Sequence, residues 1–71
     1  MEYNASNDRI AADVDRYVNG THAARNREIL KARLIDGYTY EELAARFDMS
    51  VAQIKRIVYK TSSQLFRNVS Y

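Results

Sequence analysis

Two helix starts marked by the same device lie close together in this chain, and they restrict what it can fold into more than any other feature. Thr39 is followed three residues later by Glu42, and Ser50 is followed three residues later by Gln53. In each pair the hydroxyl can accept from a first-turn N–H while the longer side chain reaches back to the N–H of the capping residue. Between the two starts, Leu43, Ala44 and Phe47 fall on one side of a helical period, with Glu41, Ala45 and Arg46 on other sides. The spacing predicts a first helix of about ten residues and then a sharp reversal. Asp48 stands where a left-handed residue would let the chain turn; glycine is cheapest there, but Asp and Asn are tolerated. Met49 then turns inward and Ser50 opens the second helix.

From Ser50 onward, Ile54, Ile57, Val58, Thr61 and Leu65 line one face at about 100° per residue. The opposite face carries Ala52, Arg56, Tyr59 and Ser63, flanked by Gln53, Lys55 and Lys60. Any surface helix shows Lys, Arg and Gln outside, so this face alone could be merely solvated. The order of small residue, amide, cations and aromatic after a tight turn points further. A small residue near the helix start permits close approach, Arg and Gln offer bidentate bonds to base edges, and Lys supplies a mobile charge for phosphate.

The segments Glu28-Ile29-Leu30, Asp36-Gly37, Tyr40-Glu41-Glu42-Leu43-Ala44, Arg46, Met49-Ser50-Val51 and Ile54-Lys55 carry a family resemblance. Residues 28–60 resemble a helix-turn-helix, in the variant found as the promoter-reading region 4 of bacterial RNA polymerase sigma factors. The resemblance implies an all-α fold, a small bundle of about four helices, with the second helix of the motif in the DNA major groove and the first across the backbone. It implies base or phosphate contact by Val51, Ala52, Gln53, Lys55, Arg56 and Lys60. Tyr59 joins them on its outward position alone. Arg46 and Lys60 are expected to hold phosphates, joined by Arg25 or Arg27 from the preceding helix. Two departures stand out: Asp48 replaces the family's usual glycine, and Thr61-Ser62-Ser63-Gln64 replaces a more basic continuation. No stretch resembles the parts of a sigma factor that melt a promoter or grip the polymerase clamp, so something other than a complete sigma factor is expected, of bacterial or phage origin.

Charge distribution agrees with a nucleic-acid surface. The net charge is only +2, yet residues 51–71 hold Lys55, Arg56, Lys60 and Arg67 with no acid. A cationic stripe of this kind is the electrostatic footprint expected of a DNA binder. Other chemistries lack the residues they need. The chain has no cysteine and one histidine, which excludes thiolate metal sites and leaves no zinc cluster, so no metal or cofactor is expected. Adjacent Glu41 and Glu42 point about 100° apart and cannot converge on a substrate. Ser50, Ser62 and Ser63 have no base placed by a motif, and two glycines cannot build a phosphate-cradling loop. An enzyme is not expected. No apolar run approaches the roughly 20 residues that span a bilayer, so a cytoplasmic protein without membrane contact is the expectation.

At 71 residues the chain makes one small domain, in which only about 60% of the unfolded surface leaves water. Ser6 or Asn7 can cap a first helix carrying Ile10, Val14, Tyr17 and Val18, stopped by Asn19-Gly20. Its expected role is packing. Thr21 is expected to cap a support helix running to Asp36, with Ile29, Leu30, Leu34 and Ile35 on its apolar side. Arg27 and Lys31 lie one turn apart and would repel unless Glu28 or an external anion relieves them. His22 is expected at the surface with no ligand or switch role. After residues 39–60, which hold the motif, residues 61–71 extend the second helix into an apolar tail of Phe66, Val69 and Tyr71. That tail either folds back on the first helix or meets another chain. A homodimer would supply two recognition helices one DNA turn apart. Double-stranded DNA is the expected partner. The alternative is a protein-interaction module on the same fold, binding RNA polymerase, another regulator or a host factor.

Overall fold

The computed structural model describes residues 6–69. Among them the chain forms four helices: α1 (Asn7–Tyr17), α2 (Ala23–Leu34), α3 (Tyr40–Phe47) and α4 (Val51–Asn68). The fold is all-α, with α3, the turn and α4 as its helix-turn-helix. α2 and α4 each pack on all three other helices, while α1 and α3 do not meet.

Both capping boxes form. Thr39 Oγ1 accepts from the Glu42 N–H at 3.1 Å, and Glu42 Oε1 accepts from the Thr39 N–H at 2.8 Å. Ser50 and Gln53 repeat the arrangement at 3.1 and 2.9 Å. Between the helices Asp48 adopts the left-handed conformation at φ 54°, and the Met49 N–H reaches back to the Ala44 carbonyl at 2.9 Å. That long bond is the mark of a Schellman closure, and the same Ala44 carbonyl also accepts from the Asp48 N–H, so one oxygen gathers both N–H groups of the turn.

The core follows the apolar stripes. Val14, Val18, Ile29, Leu30, Leu43, Ile54 and Leu65 are fully or almost fully buried, and Ile57, Phe47 and Met49 pack partly against them. Among the described residues Thr61 is the buried polar side chain, and its hydroxyl donates to the Ile57 carbonyl one turn back at 2.7 Å. Because that bond closes within the helix, the oxygen enters the core without a desolvation cost left unanswered.

The link between α1 and α2 departs from expectation. Thr21 does not cap α2; His22 does, in the left-handed conformation at φ 61° and with no side-chain bond to the helix. A backbone turn takes the place of a hydroxyl cap: Gly20, at φ 105°, offers its carbonyl to the Ala23 N–H at 3.2 Å. α2 also ends at Leu34 rather than Asp36. Two cations then tie α2 to α1. Arg27 Nε donates to the Val18 carbonyl at 2.8 Å and its Nη2 to Asn19 Oδ1 at 3.1 Å, placing positive charge at the negative end of the α1 dipole. Lys31 pairs with Asp15 at 2.7 Å, more closely than with Glu28 at 3.9 Å. The repulsion expected between Arg27 and Lys31 is thus relieved mainly by α1. Val69 packs partly against the core, so the tail folds back at that residue; Tyr71 lies outside the described residues.

A non-glycine residue in the left-handed region costs roughly 1–2 kcal/mol, somewhat less for Asp. Asp48→Gly is therefore expected to stabilise the domain by about 1 kcal/mol, which raises Tm by roughly 4–8 °C at this size. Thermal unfolding measures it, and Asp48→Ala is expected to move Tm the other way.

Candidate nucleic-acid interface

With Ile54, Val58, Thr61 and Leu65 turned inward, the other side of α4 is forced outward. Ala52, Gln53, Lys55, Arg56, Tyr59 and Lys60 are all exposed, Tyr59 at 62%. Among the described residues, no carboxylate pairs with Lys55, Arg56 or Lys60. A helix surface with three uncompensated cations and no acid along its length is a ready counterpart for a polyanion.

The residues singled out from sequence are not equivalent in place. Val51 is half-buried and packs against the core, whereas Ala52 beside it is exposed. Gln53 is exposed, but its Oε1 is already the acceptor in the Ser50 box. A two-pronged contact with adenine uses both the oxygen and the nitrogen of the carboxamide, so the oxygen would have to serve the cap with one lone pair and the base with the other. The Nε2 donor carries no duty in the cap. Arg46 lies on α3, apart from the α4 cluster, where its Nη1 donates to the Tyr38 hydroxyl at 2.8 Å and its guanidinium lies 4.8 Å from the same ring. A shallow groove runs there between Tyr38, Glu42, Ala45 and Arg46. Arg27, one of the two residues on α2 named for phosphate contact, donates from Nε and Nη2 to Val18 and Asn19 at the end of α1. Arg25 is half-buried and donates to its neighbour Asn26 at 3.2 Å.

Sequence reasoning missed the tyrosines that flank the Thr39 cap. Tyr38 holds Arg46, as above. Tyr40 receives Arg33 from α2 over its ring at 4.6 Å and Lys55 from α4 at 5.7 Å, and it meets Tyr59 edge-on with centroids 6.5 Å apart. The available signal was two aromatic residues bracketing a helix cap on the side from which the second helix departs.

Residues 23–66 match the family described as sigma-70, region 4. The chain belongs to that family. Its members are helix-turn-helix domains that bind DNA and the RNA polymerase core. Neither the curated proteins nor the solved structures give a match. The matched stretch of this region 4 domain begins at the first residue of α2 and ends inside α4, so α1 lies outside it. No helix among the described residues is long and apolar enough to cross a membrane.

The start of α3 carries the titratable group whose environment is clearly altered. Two bonds from Thr39, first its backbone N–H and then its side chain, stabilise the Glu42 carboxylate and hold its pKa below the ordinary value. The sign follows directly. A carboxyl whose folded pKa is depressed adds stability above its unfolded pKa, about 4.3 for glutamate, and that stability is lost as pH falls through the lower folded value. Glu42→Gln keeps an acceptor oxygen but cannot titrate. Urea midpoints measured down a pH series are expected to drop more steeply for the wild type than for Glu42→Gln in the acid range; parallel curves would remove the box from the acid response.

Proposed function

We propose that this region 4 domain is a sequence-specific, double-stranded-DNA-binding transcriptional regulator that sets α4 in the major groove. One observation carries the reading: the outward face of α4 presents Lys55, Arg56 and Lys60 uncompensated, beginning one residue after a capped tight turn that leaves Ala52 exposed for close approach. Arg56 is the base reader in this account, since a free guanidinium at the middle of the exposed face can address guanine through two parallel bonds. Lys60, one turn on, and Arg46 from α3 hold phosphates and set the register. Lys55 and Tyr59 fill the flank between them, and Ala52 offers the apolar contact to a thymine methyl. Gln53 contributes its Nε2 donors.

A second reading has one observation in its favour. Tyr59 and Phe66, both large and exposed, lie seven residues apart on the same side of α4, a spacing suited to a protein partner such as polymerase or another copy of this chain. Salt separates the two readings. Affinity for random duplex that falls steeply with salt supports DNA, whereas no binding at about 50 mM salt favours protein.

Selection from a random duplex pool gives the test. Arg56→Ala is expected to weaken binding to the selected site by about 1–3 kcal/mol and to relax preference at one base pair, while Lys60→Ala weakens all sequences alike and lowers the salt slope by about one. An inverted repeat in the selected site would show two copies acting together. Retention of full specificity by Arg56→Ala would remove that residue from the reading.

A further inference from the structure

The ring of Tyr40, the first residue of α3, is where three helices meet. Arg33 of α2 is fixed twice over, by stacking on that ring at 4.6 Å and by donating from Nη1 to the Tyr38 carbonyl at 2.9 Å. A planar guanidinium held at both places is a rigid brace, so the ring it covers has little freedom to rotate away. On the α4 side, Lys55 Nζ stands 5.7 Å from the ring centroid, and Tyr59 meets the ring at 85°. Lys55 and Tyr59 are one helical turn apart and both are exposed, so burial does not order them. Their ordered neighbour is Tyr40.

Resting on the reading of α4 as the DNA-facing helix, we infer that Tyr40 is a positioning residue, whose braced ring presets Lys55 and Tyr59 for contact before the duplex arrives. A free lysine samples many rotamers and must give most of them up when it binds. The electron-rich face of a tyrosine attracts its ammonium group, and the edge-on approach of Tyr59 is the arrangement aromatic pairs prefer. Both interactions narrow the conformations in the free protein, so less freedom remains to be lost on DNA. The property at work is the π face rather than the hydroxyl. Phenylalanine at position 40 therefore keeps the role, whereas leucine, apolar and compatible with a helix start, abolishes it.

The test uses the full chain with Tyr40→Phe, Tyr40→Leu, Lys55→Ala and the double variant Tyr40→Leu/Lys55→Ala. Without DNA, the ε-methylene protons of Lys55 are expected to resonate upfield of their random-coil position in the wild type and in Tyr40→Phe, through the ring current, and to return to it in Tyr40→Leu. Random-coil shifts in the wild type would overturn the inference, and that result stands even if the leucine variant folds poorly. With the selected duplex, Tyr40→Leu is expected to weaken binding on the order of three- to tenfold, with Tyr40→Phe nearly unchanged and the loss shrinking once Lys55 is already alanine. Fully additive losses in the double variant would overturn the inference and leave the DNA reading intact. Failure of the wild type to bind any duplex would overturn both.

Discussion

Burial of the inner face of α4 is the constraint from which the rest follows. In a domain this small the longest helix offers the most surface to pack on, and α4 meets α1, α2 and α3 and buries Ile54, Val58, Thr61 and Leu65. Those contacts fix the helix about its own axis. Once they are made, Arg56 and Lys60 have nowhere to point but outward, and the orientation of the cationic face is a by-product of packing. A truncation such as Leu65→Ala would thus disturb the surface as well as the core, since a leucine cavity costs about 2–5 kcal/mol in a structure with little to spare.

What could be read from sequence was what is decided locally. The two boxes, the left-handed Asp48 and the stripe of α4 depend on residues within one or two turns of each other, and all are present in the structure. The α1–α2 link was less legible because its helix start is made by backbone geometry. Thr21 has the right hydroxyl, but the chain instead turns through Gly20 and places His22, a residue with no cap signature, in the left-handed region. Cross-helix partners were hidden for another reason. Whether Arg27 faces an external anion or the Val18 carbonyl depends on where α1 ends in space, and no periodicity carries that information.

The candidate interface divides along the same line. Exposure of Lys55, Arg56, Tyr59 and Lys60 follows from the period of the helix, but their individual freedom does not. Gln53 is tied to a cap through one of its two polar atoms, Arg46 is tied to the Tyr38 hydroxyl, and Arg56 and Lys60 make no such bond among the described residues. A list of outward residues on this helix is therefore also a ranking by commitment, with structural duty lowest at the middle and far side of the helix.

α1 and the two cations that fasten it give the architecture a consequence for modularity. The family match starts at Ala23, yet Ile10 and Val14 of the preceding helix and Val18 at its C-cap are part of the core, and Arg27 and Lys31 from the matched stretch find partners on that helix and its end. The unit that is recognisable as a relative and the unit that folds are consequently different lengths of chain. A graft made at the family boundary would transplant the cationic face without one wall of the interior beneath it.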